Sequence, residues 1–136
     1  MSNVYWKDVV FRTIYDVVNA NDEVRKFFDG MVILGDNSEK YPRNSLKIKV
    51  SDVRKVSDYK AKGSVYVHMH IPDSDLDTVS DVVDDLLNEK WHIGIVNLSE
   101  NISLFLRKNG IKVDMRNDQM SIEYQFYAVL EGDCNG

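Results

Sequence analysis

Two histidines, His68 and His70, flank Met69 in the run Val67-His68-Met69-His70-Ile71. On an extended chain, residues two apart project from the same face, so two imidazoles at this spacing could share one metal ion. A closed site needs further ligands. Asp73 and His92 are available by type, but nothing in their spacing makes them converge. The pair therefore reads as surface or interface histidines on a strand whose other side is core, and neither a metal nor a cofactor is expected.

Acid-base chemistry has equally little support. Asp84 and Asp85 are adjacent, and neighbours on a helix point about 100° apart, so they do not readily face one substrate atom. The sequence lacks the Gly-x-x-x-x-Gly-Lys-Ser/Thr phosphate loop, Gly-x-Gly-x-x-Gly, His-Glu-x-x-His and Gly-x-Ser-x-Gly. Cys134 is the one cysteine and stands in the polar stretch Glu131-Gly132-Asp133-Cys134-Asn135-Gly136, which excludes an internal disulfide framework and fits a reducing compartment. No catalytic residue is assigned, and the chain is read as a non-enzyme.

Charge patterning is more informative. The formal net charge of −5 disfavours nonspecific attachment to a phosphate backbone, and no specific nucleic acid is expected as a partner. The average conceals two opposite blocks. Arg43, Lys47, Lys49, Arg54, Lys55, Lys60 and Lys62 face only Asp52 and Asp58 in their segment, whereas Asp73, Asp75, Asp77, Asp81, Asp84, Asp85 and Glu89 occur with no base among them. Lys47, Lys49, Arg54 and Lys55 on one side, and Asp77, Asp81 and Asp84 on the other, are the candidate subunit-contact residues, because opposite charges on separate elements can steer two copies together.

These residues must be positioned by a small set of elements. Trp6, Val10, Ile14 and Val17, widened by Val9 and Val18, have helical spacing, and Asp22 to Gly30 can form a second short helix. Met31 to Asn44, with the turn-formers Gly35 to Lys40 and Pro42, reads as a surface loop. Leu46, Ile48 and Val50 alternate with Lys47 and Lys49, giving a strand with one apolar and one basic face; the change of parity before Val53 demands a bulge, bend or strand end near Ser51-Asp52. After a polar connection from Ser57 to Gly63, Val65, Val67, Met69 and Ile71 alternate in a second strand that Pro72 ends.

Asp73-Ser74-Asp75 offers capping oxygens to a helix carrying Leu76, Val79, Val82, Val83, Leu86 and Leu87. Trp91 to Leu98 is ambiguous: Trp91, Ile93 and Ile95 alternate around Gly94, a pattern compatible with a further strand. Asn109-Gly110, between Ile102–Lys108 and Ile111–Arg116, predicts a type I′ hairpin, and Asn117-Asp118 a second turn. Met120, Ile122, Tyr124, Phe126, Ala128 and Leu130 line one face of a final strand about 36 Å long at ~3.3 Å per residue. The fold class is α+β: an antiparallel or mixed β-sheet with helices packed on one face, as a single domain over residues 1–130 followed by a flexible polar tail over 131–136. Apolar runs such as Met31-Val32-Ile33-Leu34 fall far short of the ~20 residues of a membrane span, and the start of the chain lacks a secretory pattern, so no membrane partner is expected.

The order of an N-terminal helix, a polar loop with Pro42, the hairpin ending Val65-Tyr66-Val67-His68-Met69-His70-Ile71-Pro72, the helix from Asp75, and the closing strand Ser121-Ile122-Glu123-Tyr124-Gln125-Phe126-Tyr127-Ala128-Val129-Leu130 resembles tailed-bacteriophage tail-terminator and tail-completion (neck) proteins. That resemblance spans Val4 to Leu130. It implies a structural virion assembly protein forming a homo-oligomeric ring, commonly a hexamer, with the tail tube and head-connector proteins as partners. It also implies a place in the virion, and in host cytoplasm during assembly. Two other readings fit the residues: an acidic immunity or inhibitor-type protein that masks a basic partner with the Asp73 to Glu89 face, and a small metal-binding enzyme using His68 and His70.

Overall fold

The computed structural model describes residues 5–28, 33–34 and 44–132. The turn cluster from Gly35 to Lys40, Pro42, Arg43 and Cys134 lie outside the described residues. Helix α1 (Trp6–Ala20) buries Trp6, Val9, Val10, Thr13, Ile14 and Val18, close to the anticipated stripe, while Asp8 and Arg12 pair at 3.8 Å on its exposed side. Helix α2 (Asp22–Phe27) starts where Asn21 Oδ1 accepts the Val24 N–H at 2.9 Å, an N-cap that satisfies one otherwise orphaned donor.

One six-stranded sheet carries the rest, in the order β1-β2-β3-β6-β5-β4. The two-residue β1 (Ile33–Leu34) runs parallel to β2 (Ser45–Ser57); every other neighbouring pair, involving β3 (Lys60–His70), β4 (Lys90–Asn97), β5 (Glu100–Asp114) and β6 (Gln119–Gly132), is antiparallel. The fold is thus α+β in a single domain. Its final strand extends through Glu131 and Gly132, two residues into the segment anticipated as tail.

Cross-strand register explains the core. Val65 faces Tyr124, Val67 faces Ile122, Met69 faces Met120, and Leu104 and Leu106 face Ala128 and Phe126, so one side of the sheet is a continuous buried apolar layer. Both longer helices pack on that side. Helix α3 (Asp73–Leu87) inserts Leu76, Val79, Val83 and Leu87, and α1 crosses the layer to touch both β2 and β4. Burying each large aliphatic side chain stabilises the fold by ~1.5–3 kcal/mol. Among the described residues no helix is long and apolar enough to cross a membrane.

Three local expectations are corrected. First, Asn109-Gly110 is not a hairpin: β5 runs straight through it, paired with β6 on either side of a bulge between Lys108 and Gly110. A type I′ turn needs positive φ at both central residues, and neither adopts it; Asn109 instead donates its side-chain amide to Glu123 Oε2 at 2.9 Å. The chain reverses later, through the 3-10 turn Met115–Asn117 and Asp118 at φ 53°.

Second, the polar connection from Ser57 to Gly63 contracts to Asp58-Tyr59, because β3 begins at Lys60. Third, α3 begins at Asp73 directly after Pro72, so the acids expected to cap it stand inside its first turn. There the charge of Asp75 suits the positive end of the helix dipole, and its N–H donates to Pro72 O at 2.9 Å. The irregularity expected at Ser51-Asp52 is present as a register shift between Ser51 and Arg54, with Asp52 at φ 55°.

Candidate subunit-contact surfaces

Among the described residues no helix packs on the sheet face away from α1 and α3, and that face gathers the basic residues. Lys47 stands opposite His68, Lys49 opposite Tyr66 and Arg54 opposite Lys62, so these side chains share the open face. Lys55 does not. It pairs in register with the buried Ala61, which places it on the other side of the hairpin, where its Nζ lies 3.2 Å from Asp58 Oδ1.

His68 is held on this face by Ser121, whose Oγ lies 2.9 Å from Nδ1, and by stacking on Tyr66 at 6.0 Å. Partial burial, then Lys47 and Lys49, push its pKa below the ordinary histidine value, which keeps it neutral at physiological pH. His92 sits on the opposite, helix-facing side, since it pairs with the buried Leu104, and its Nε2 is 3.5 Å from Leu87 O. The proposed third ligand therefore does not approach His68. Among the described residues no group of three or more His, Cys, Asp or Glu side chains converges on a common point; the side chain of Asp73 lies outside them.

The acidic residues divide as well. Asp77 and Asp81 are exposed on α3. Asp84 is committed within the subunit: its Oδ1 accepts the Tyr124 hydroxyl at 3.0 Å and its Oδ2 accepts Lys108 Nζ at 3.0 Å. Burial, reinforced by the charge of Asp84 and this hydrogen bond, holds the Tyr124 hydroxyl far above its usual pKa. The network ties α3 to β5 and β6, and Asn88 Oδ1 adds a bond from the Lys108 N–H at 2.7 Å.

A surface feature not anticipated as a site lies beside the basic one. Trp91, Ile93 and Ile95 alternate on β4 and project from the open face with 56%, 73% and 74% of their surface exposed. Trp91 packs on Phe105 at 5.2 Å and edge-on to Tyr127 at 6.5 Å. Lys62 Nζ and the Arg107 guanidinium lie 5.9 Å from the Tyr127 and Phe105 ring centres, around a shallow depression of about 580 Å³. The alternation was visible in the sequence; its exposure was not, because it depends on both helices choosing the other face.

No family model matches this sequence. No curated protein matches it either. Among solved structures, the chain is similar to one in the virion of a native gene transfer agent particle, with a TM-score of 0.61 and 12% identity, covering 95% of this chain and 100% of that one. At that identity the likeness establishes a shared fold.

Proposed function

We propose that the protein is a structural, non-enzymatic virion component that assembles as a homo-oligomeric ring at the neck of a tailed particle, ending the tail tube or joining it to the head connector. The observation that carries this reading is the near end-to-end likeness of fold to a chain of a gene transfer agent virion. Charge segregation supports the ring. Lys47, Lys49 and Arg54 lie on the open sheet face, whereas Asp77 and Asp81 lie on a helix packed against the other face. Two different complementary patches make a head-to-tail contact, and such a contact closes into a ring or propagates as a filament.

Solution mass as a function of protein and salt concentration, with electron microscopy of the associated species, tests the reading. Closed rings of one size support it. A protein that stays monomeric at high concentration, or that forms only a tight complex with a basic partner through Asp77 and Asp81, refutes the ring and favours the inhibitor reading.

A further inference from the structure

β4 is the last strand of the sheet, and among the described residues no strand pairs with its outer side. An edge strand offers a row of backbone N–H and C=O groups to any chain that can lie along it, and soluble proteins usually blunt such edges with lysine, proline or a bulge. The β2 side of this sheet follows that rule: it carries Lys49, Arg54 and Lys55, is interrupted by the irregularity at Asp52, and is partly capped by β1. β4 is less protected: its own irregularity is confined to the stretch between Ile95 and Asn97, and from Trp91 to Asn97 it has no charged residue, no proline and an open-face stripe of Trp91, Ile93 and Ile95, with the fully exposed Leu98 just beyond.

We infer that β4 pairs antiparallel with β4 of a second copy, with the two-fold axis near Gly94, so that two six-stranded sheets continue into one. The choice of occupant follows from self-complementarity. A two-fold contact sets a surface against itself, so it tolerates no concentration of one charge. The basic open face of β2 and β3 and the acidic face of α3 each repel their own copies; the β4 stripe is the apolar, uncharged alternative. His92, the only titratable group between Trp91 and Asn97, points to the helix side.

Register adds to the case. Antiparallel pairing about Gly94 sets Ile93 against Ile95 twice, within the regular part of the strand before the irregularity that follows Ile95, and leaves Lys90 outside this central overlap. On the helix side Gly94 is covered by the Thr13 side chain of α1, so the contact is made by the strand edge and the open-face stripe. Trp91 is already ordered by Phe105 and Tyr127, which lowers the entropy lost on docking. Three large apolar side chains exposed in one stripe, with Leu98 just beyond, form the kind of contiguous apolar surface that marks interaction sites.

This contact is independent of the proposed ring, and the experiment separates them. In a Cys134→Ser background, the Ile93→Cys, Ile95→Cys double variant should oxidise to a covalent dimer in high yield. Ile93→Lys, at a site exposed enough to leave folding intact, should halve the solution mass of the smallest associated species at high salt, where charge-driven contacts are screened. Lys47→Glu, Lys49→Glu should leave that species unchanged. The inference is overturned if the cysteine variant stays monomeric under oxidation while its circular dichroism matches the parent, or if Ile93→Lys does not alter the mass.

Discussion

Asp84 shows how one side chain can be drawn away from a surface role by its neighbours. At helical spacing it belongs with Asp77 and Asp81 on one charged face, yet the pairing of Lys108 with Tyr124 across β5 and β6 brings a cation and a hydroxyl to its two oxygens. The half-exposed ion pair contributes little; the partly buried tyrosine bond contributes more. Tyr124→Phe should lower stability by roughly 1.5–3 kcal/mol, as for hydrogen bonds to charged groups, measured by denaturant unfolding. Because the folded state holds the tyrosine proton more tightly than the unfolded chain, this contribution is full below about pH 10 and declines as pH rises above it. The fall in unfolding midpoint from about pH 9 to 11 should therefore be shallower in Tyr124→Phe than in the parent.

The histidines carry the opposite sign. His68 and His92 are both held below their ordinary value, first by partial burial, so the folded state prefers them neutral. Their contribution is present above about pH 6.5 and is lost as pH falls through the lowered folded values. A His68→Asn, His92→Asn variant should lose less stability than the parent between about pH 7 and 5, measured as the shift of thermal midpoint in matched buffers. Zinc, nickel or a chelator should leave the parent's midpoint unchanged if the pair His68 and His70 has no structural metal; a midpoint lowered by chelation would restore the metal-site reading.

At the scale of elements, two close approaches govern how helix meets sheet and strand meets strand. A Cβ at Gly94 would collide with the Thr13 side chain, and one at Gly63 would lie 2.5 Å from the Phe126 ring and 3.0 Å from Ser51 O. Gly94→Ala should therefore destabilise by about 1–3 kcal/mol through overpacking, and Thr13→Ala should recover part of that loss, a coupling that a double-mutant cycle reads directly. Phe126→Ala, which empties the site beside Gly63, should cost roughly 3–5 kcal/mol. These contacts also mark what the sequence could and could not reveal. Period-two alternation located β2, β3 and β6, and helical spacing located α1 and α3, because each buries a single face. Asn109-Gly110 misled because local turn preference is weak beside a full β5–β6 ladder, which absorbs the pair as a bulge. Likewise, Trp91, Ile93 and Ile95 resemble core residues by composition, and only the placement of α1 over Gly94 turns them outward.

For the whole molecule, the decisive quantity is how charge is divided between faces. The net charge of −5 is spread unevenly, with Lys47, Lys49 and Arg54 on one side of the sheet and Asp77 and Asp81 on the helix beyond the other. Exposed charges are screened over about 8 Å at physiological salt, so they steer assembly and fix orientation more than they supply affinity. Lys47→Glu, Lys49→Glu should accordingly weaken self-association most at low salt and slow its rate. Restoration is expected from Asp77→Lys, Asp81→Lys and not from Asp84, whose reversal would break the Tyr124 and Lys108 network and unsettle the fold itself. Sedimentation of the single-face and paired reversals at low and high salt measures this. Recovery by the Asp77, Asp81 pair alone is the result that ties the two faces together across a subunit boundary; equal association in all four proteins would remove charge from the assembly and leave the β4 edge as the contact to pursue.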